Sequence, residues 1–271
     1  MNRDSKRGQA HVAPSFVPET ELPGKEINVD TLQVIAHRYL WSSEFVAGKD
    51  VLEIGCGPGL GLGWLSRCAR RVVGGDIMQE SLGFAGQYYG GKVGLVSLDA
   101  HRLPFRNESF DVVLCVAAII YMDAAALFAE CRRVLRKGGL LLVNTPNKDQ
   151  PGFQPSRLSR EYHSVPDLHR LLAEHAFDTR CFGAFPASSR PVTRRPRALS
   201  MARAAVSKAL GVLGLRHTIK ALTGLGARGV TLKHELDDEE MALVRDIQLT
   251  PLSTQSPDQQ YRIVYAVCHA R

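Results

Sequence analysis

The chain has 271 residues, of which 45% are hydrophobic and 23% charged. That balance excludes a disordered or fibrous chain and allows a large core without disulfide or metal staples. The net charge is +7, but ten basic residues crowd the acid-free stretch 187–234: Arg190, Arg194, Arg195, Arg197, Arg203, Lys208, Arg216, Lys220, Arg228 and Lys233. The other 24 basic residues face all 27 acidic ones, a net of −3, so an anionic partner is expected at that one stretch.

Residues 1–26 are rich in Pro, Ser and charge and read as a flexible arm. Their opening, MNRDSKRGQAHVAPS, has no apolar run of the signal-peptide kind, and no stretch of about 18 uncharged apolar residues follows. The six cysteines, at 56, 68, 115, 131, 181 and 268, stand singly without metal-ligand spacing. No metal site or disulfide framework is expected, and a reducing cytoplasm fits.

In chain order, Asp30 is expected to cap a helix carrying Leu32, Val34, Ile35, Leu40 and Trp41 inward. Asp50–Ile54 reads as a strand, followed by a glycine turn and a helix near 59–69. Arg71–Gly75 is a second strand ending at Asp76, then a helix runs to about Gln87. Val93–Leu98 and Phe110–Val116 are the third and fourth strands. Ala124–Leu135 is a helix stopped by Lys137-Gly138-Gly139, and 139–144 is the fifth strand. Ser164 caps a helix with Pro166 in its first turn. Phe177–Phe185 and Tyr261–His269 are the last strands, and two helical patterns, about 198–213 and 216–225, fall between them.

This alternation predicts an α/β, Rossmann-like doubly wound sheet with helices on both faces. The domain plan is an arm (1–26), a core (27–186), a basic helical insertion or lid (187–258) and a final core strand (259–271).

In such a sheet, ligands bind beyond the carboxyl ends of the strands. There the sequence reads VLEIGCGPGLG over 51–61. Gly55, Gly57 and Gly59 let a ligand approach the backbone, and the turn amides are expected to receive an anionic group. A dinucleotide fingerprint needs G-x-G-x-x-G, but Leu60 stands at its third glycine. Glu53, two residues before the first glycine, would repel a pyrophosphate and suits a cationic amino group. Acids also end the next two strands, at Asp76 and Asp99. Asp76 is suited to two ribose hydroxyls and Asp99 to an exocyclic amine. A lone acid at a strand end is equally well read as a turn or helix cap; three in succession favour a site.

The stretches VLEIGCGPG, VVGGDI, LDAHRLPF, SFDVVLC and ALFAECRRVLRKGGLLLVNTPN together resemble the class I S-adenosylmethionine-dependent methyltransferases of the small-molecule type over about 50–147. The resemblance implies a seven-stranded sheet with its last strand antiparallel. It implies S-adenosylmethionine as cofactor, with contacts at Glu53, Gly55, Gly57, Asp76, Ile77, Asp99 and Ala100. Cys56, Gly59 and His101 join these as neighbours in the same motifs, and Tyr39, on the helix before the first strand, is expected to cover the cofactor or pack in the core. TPNKD, with Asn147, is similar to relatives acting on quinone precursors or sugars. SRLSREYHSVPDL with FGAFP resembles methyltransferases of polysaccharide and glycolipid biosynthesis.

The match departs after the fourth strand. Ala117 and Tyr121 stand where relatives carry an acid and a histidine, and the N-P-P-Y type signature of amino-directed nucleic-acid enzymes is absent. His163 is the expected base, with Tyr121 orienting an acceptor. A solvent-exposed or capping role is the simpler reading of each.

The expected activity is methyl transfer to an oxygen of a small or lipid-linked metabolite such as a saccharide. Quinone-precursor or other small-molecule C- or N-methylation is the alternative. An NAD(P)-dependent oxidoreductase and a non-catalytic cofactor-binding protein are the rivals of other classes. The basic stretch reads as a solvated lid, as a surface for anionic sugars or the inner membrane face, or as an RNA patch. It has no Phe, Trp or Tyr for base stacking, which disfavours nucleic acid.

Overall fold

A computed structural model describes residues 21–187 and 229–271. The predicted helices at 198–213 and 216–225, residues 1–20, and all the basic residues of 187–234 except Lys233 lie outside the described residues.

The strands in chain order are β1 (Glu26–Asn28), β2 (Asp50–Ile54), β3 (Arg71–Asp76), β4 (Gly94–Ser97), β5 (Phe110–Val116), β6 (Leu135–Pro146), β7 (Phe177–Pro186), β8 (Gly229–Thr231), β9 (Thr250–Pro251) and β10 (Tyr261–Ala270). The helices are α1 (Val29–Ser43), α2 (Leu62–Ser66), α3 (Gln79–Tyr89), α4 (Ala124–Val134), α5 (Val165–Glu174) and α6 (Asp238–Ala242). The main sheet has the order β4-β3-β2-β5-β6-β10-β7-β9, and β1 pairs with β8 in a separate two-stranded ribbon. Strands β4, β3, β2, β5 and β6 run parallel, and β10 is antiparallel to both its neighbours, β6 and β7. The seven expected strands are present, and two-residue β9 adds an eighth at the edge.

The chain leaves β2 outward through β3 and β4, then returns to β5 on the other side of β2. This reversal opens a crevice at the carboxyl ends of β2 and β5. The parallel strands are buried on both faces, which is why they read as unbroken apolar runs. Along β2, Val51 packs into the layer with α1, while Leu52 and Ile54 pack into the layer with α4 and α5. Period-two alternation therefore turns Glu53 toward the α1 side.

Four local expectations need correction. Asn28, not Asp30, caps α1, accepting from the Thr31 amide at 2.7 Å. Asp30 instead sits in the first turn and holds Arg262 through two 2.7 Å bonds. Helix α2 is five residues long rather than spanning 59–69, because the Tyr89 hydroxyl occupies the backbone groups that would close its first turn. Strand β6 starts at Leu135, and Lys137-Gly138-Gly139 lies in an irregularity within it rather than before it. Finally, Leu232, Leu236, Met241 and Val244 are buried in the α1 layer, so this part of the predicted insertion packs on the core beside the glycine turn. Among the described residues, no helix is long and apolar enough to cross a membrane.

Candidate functional site

Glu53 is the penultimate residue of β2, with its side chain fully buried. The Tyr39 hydroxyl, from α1, donates to its Oε1 at 2.7 Å, and Oε2 has no partner. Burial drives this carboxyl up to about 7, against the Tyr39 hydrogen bond and the Arg38 charge that favour ionisation. A buried acid with one unused oxygen is a costly arrangement for stability alone.

The chain then turns through Gly55 and Gly57. A Cβ on Gly55 would stand 2.6 Å from that of Ala118, so this glycine lets the turn pack on the segment after β5. Gly57 has φ +55, and a Cβ there would meet nothing within 4 Å. Its bare face looks onto open space, as a ligand-facing backbone should. Four of the turn amides, expected to receive an anion, have partners within the protein. The amides of Gly55 and Cys56 donate to Gly75 O, that of Gly57 to Asp76 Oδ2, and that of Gly59 to Cys56 O. The Cys56 thiol is buried, and Gly74 gives it room beside β3. Burial and the neighbouring Glu53 and Asp76 hold it well above its usual pKa, so it is no nucleophile.

Asp76 closes β3 across the turn. Its Oδ2 accepts from Gly57 N and its Oδ1 from Met78 N, both at 2.8 Å. The carboxylate is thus aimed at the turn. Ile77 beside it is 64% exposed, an apolar side chain held out at the crevice. Asp99 Oδ1 accepts from the His101 amide at 2.9 Å and lies 2.8 Å from His101 Nδ1. The Asp123 amide donates to His101 Nε2 at 3.0 Å, which fixes the proton on Nδ1. Ala100 between them is buried. Asp76 and Asp99 therefore also serve as turn acceptors, so the simpler reading and the ligand reading coexist in the same side chains.

The acceptor side is built by the turn after β5 and the loop after β6. Ala117 adopts φ +56, and a 3-10 turn (Ile119–Tyr121) follows. The amides of Arg160 and Glu161 both donate to Ile120 O, at 2.7 and 3.3 Å, which brings the loop onto this turn. Tyr121 is 37% exposed, and burial, with Glu21 and Tyr162 nearby, raises its hydroxyl pKa. His163 is buried just before Ser164, the cap of α5, and its Nε2 has no partner. Burial lowers its pKa, which keeps the imidazole neutral and basic. Asn147 does not face a ligand: its Nδ2 donates to Asp258 and to Tyr261 O, tying β6 to the start of β10. Lys233 is held by Asp237, Glu239 and Glu240, so it is not free for an anionic surface.

Sequence reasoning missed two residues. Arg38 lies between His37 and Tyr39 on α1 and is buried, with both terminal nitrogens on Glu21. Tyr89 hydroxyl donates to Gly59 O at 2.6 Å and accepts from Gly63 N at 3.1 Å. The His-Arg-Tyr run on an amphipathic helix was the one local hint of a polar group turned inward. Nothing near residue 89 signals its role.

Comparison with known proteins places this arrangement beside methyltransferases. Residues 52–143 match the methyltransferase domain family. A probable S-adenosylmethionine-dependent methyltransferase of Mycolicibacterium smegmatis is 38% identical over 126 residues, 46% of this chain and 45% of that protein. A ubiquinone biosynthesis O-methyltransferase of Hahella chejuensis is 33% identical over 147 residues, 52% of this chain and 59% of that one. A crystal structure from Thermotoga maritima, of an S-adenosylmethionine-dependent methyltransferase described as a possible histamine N-methyltransferase, superposes with a TM-score of 0.56. It covers 90% of this chain and 92% of its own at 14% identity, a likeness of fold alone.

Residues 52–143 therefore form a methyltransferase domain, on the fold shared by S-adenosylmethionine-dependent methyltransferases. Its cofactor is S-adenosylmethionine, and the unused Glu53 oxygen and the open face of Gly57 fit that molecule's cationic end and its close approach. The chain spans about half the length of the curated relatives it matches.

Proposed function

We propose that this chain transfers a methyl group from S-adenosylmethionine to a hydroxyl oxygen of a small or lipid-linked metabolite, with a saccharide as the acceptor class. The observation that carries this reading is Glu53, buried at the switch point with an oxygen that nothing in the protein uses. Bound, the cofactor supplies an electrophilic methyl on sulfonium. Glu53 receives its ammonium, with Tyr39 covering that end and Gly55, Gly57 and Gly59 giving the close approach. Asp76 accepts from the ribose hydroxyls while keeping its backbone bonds, since each carboxylate oxygen accepts more than once. Ile77, Ala100 and His101 flank the adenine, and Asp99 takes its amine.

On the acceptor side, His163 Nε2 takes the hydroxyl proton as the oxygen attacks in line, and Tyr121 orients the ring. Its buried, unpartnered nitrogen supports that role. Positioning and exclusion of water supply the rest of the rate.

Calorimetry with S-adenosylmethionine and NADH tests the cofactor, and NADH binding alone would overturn the reading. Incubation with methyl-labelled cofactor and a metabolite extract then identifies the product. Label on carbon or nitrogen would exclude His163 as a hydroxyl base. A phenolic quinone precursor is the second reading, favoured by the Phe153–Tyr162 pair beside this turn, and the same labelling separates it from a saccharide.

A further inference from the structure

The two sides of the crevice are carried by separate loops. Asp99 and His101 follow β4, the 3-10 turn follows β5, and the loop with His163 follows β6. In-line transfer needs all three in one register, since about 1 Å of misplacement costs on the order of 10²-fold in rate. They meet at Asp123. Its amide donates to His101 Nε2 at 3.0 Å, and His101 Nδ1 lies 2.8 Å from Asp99 Oδ1. Its Oδ1 accepts from the Ala126 amide and caps α4, while its Oδ2 accepts from Arg160 Nη2 at 2.9 Å. One residue thus holds the adenine-side histidine with its backbone and the acceptor-side loop with its carboxylate.

That loop is otherwise fastened mostly to itself. Ser156 N donates to the Tyr162 hydroxyl, Ser159 Oγ to Ser156 O, and the Phe153 and Tyr162 rings pack edge to face at 4.8 Å. Among the described residues, the hydrogen bonds that tie 154–162 to other parts of the protein end at two places. The amides of Arg160 and Glu161 reach Ile120 O, and the Arg160 side chain reaches Asp123. The Arg160 side chain is 59% exposed and that of Asp123 42%, so this ion pair adds little to stability. What it does set is the place of the loop. His163 stands three residues beyond Arg160, between this anchor and the cap of α5.

We propose that Arg160 is a positioning residue for methyl transfer: through Asp123 and His101 it ties the His163 loop to the loop that receives the adenine. The role presupposes the methyl-transfer reading above, in which His163 is the base and Asp99 takes the adenine amine. The Asp99 side chain is 53% exposed and that of His101 37%, so water competes for the bond between them. An adenine seated on Asp99 displaces that water, and the bond strengthens as the local dielectric falls. His101 is then held toward the Asp123 amide, and Asp123 toward Arg160. Cofactor binding therefore tightens the acceptor loop, and by linkage the tethered loop tightens the cofactor by the same factor.

Hydrogen exchange of the full chain tests this at the amides of Arg160 and Glu161. Wild type and the Arg160→Gln, Arg160→Lys and His101→Ala variants are compared without ligand, with saturating S-adenosylhomocysteine and with saturating adenosine. In wild type both ligands should slow exchange of the 157–163 peptide about fivefold or more. Arg160→Gln should exchange faster without ligand and lose the ligand-dependent slowing, at a melting temperature near that of wild type. In calorimetry it should bind S-adenosylhomocysteine more weakly by the factor of slowing seen in wild type. Arg160→Lys should recover part of both effects. His101→Ala should keep the ligand-free exchange of wild type and lose the slowing. A wild-type chain that binds S-adenosylhomocysteine without slowing these amides, or an Arg160→Gln variant that keeps the slowing, would overturn the proposal and leave the methyl-transfer reading standing. A wild-type chain that binds no S-adenosylhomocysteine would overturn that reading and the role of Arg160 with it.

Discussion

The two edges of the parallel sheet treat their acids in opposite ways. At the amino edge, Asp50 is met by Arg70 at 2.5 Å, Arg136 at 3.0 Å and Arg71 at 3.6 Å. Asp111 beside it takes Arg136 at 2.7 Å and the Asp50 amide at 2.8 Å. At the carboxyl edge, Glu53 has a tyrosine hydroxyl and an unused oxygen, and Asp76 has only backbone amides. One edge satisfies its carboxylates with cations and so fastens four strand ends together. The other leaves acceptor capacity open. On the function proposed above, acidic residues at strand ends mean stability at one edge and binding at the other, and the partners decide which.

Substitutions at the two edges should separate these roles. The largest effect is expected at His163. Its Asn variant should lose about 10²–10⁴-fold in turnover, the range of a removed general base, with cofactor affinity unchanged. The wild-type rate should rise with pH through an apparent pKa below 6.5, since burial lowers this imidazole. A pH–rate profile and single-turnover kinetics on the labelled acceptor check both. A rate unaffected by the substitution would move the base elsewhere.

Glu53→Gln comes next and splits binding from stability. Cofactor affinity should fall by about 2–3 kcal/mol, the scale of a hydrogen bond to a charged group. The apoprotein should not lose stability in step. The folded Glu53 carboxyl is raised to about 7, so its protonated form is favoured by folding. The stability this gives is fully present below the unfolded value near 4.5 and is lost as pH rises through 7. The variant should flatten that decline and stand about 1–3 kcal/mol above wild type at pH 8. Denaturant unfolding of both proteins between pH 5 and 8 measures it, and cofactor binding should weaken in wild type below pH 7 as the acid takes up its proton.

Asp50→Asn is the converse at the other edge. Three arginines lose their shared carboxylate, at a cost of about 1–2 kcal/mol once solvent screening of the half-exposed guanidiniums is allowed for. The side-chain bond from Arg70, with Arg136 and Arg71, holds the Asp50 pKa down at about 2. That stability is present above the unfolded value near 4 and is lost as pH falls through 2, so acid unfolding should shift while calorimetric cofactor affinity stays the same. A matching loss of affinity would mean the two edges are coupled through the strands.

The same contrast explains what was legible in the sequence. The strands β2 and β5 appear with the expected bounds because an unbroken apolar run between polar ends is a local signal. Glu53, Asp76 and Asp99 were legible for the same reason: each lies within two residues of the carboxyl end of its strand. Arg38 and Glu21 were not, since a pair 17 residues apart across a strand and a turn leaves no periodic trace. The cap of α1 went to Asn28 because Arg262, from the far end of the chain, claims Asp30. Residues 232–244 pack beside the glycine turn through contacts with α1 and Leu60, which their own spacing does not announce.

Tyr89 carries the smallest expected effect and tests the comparison most closely. Gly59 O and Gly63 N are the i and i+4 partners of an ordinary helical hydrogen bond. The Tyr89 hydroxyl stands between them, accepting from one and donating to the other, so α2 opens at Leu62 and the glycine turn stays unwound. The substitution Tyr89→Phe removes both bonds and leaves the ring in place. Two outcomes are physically distinct. If the backbone groups stay apart, the Gly63 amide loses its partner while Gly59 O keeps the Leu62 amide at 3.0 Å, a cost of about 1 kcal/mol, and the melting temperature falls slightly. If they close on each other, α2 gains a turn, stability is kept, and the turn that Glu53 and Asp76 face is wound into helix. Cofactor affinity should then drop severalfold with unchanged stability, read as a rise in KM at constant kcat. Either result leaves the amino edge untouched, whereas a Tyr89→Phe protein with wild-type melting and wild-type cofactor affinity would show that the open turn does not depend on this hydroxyl.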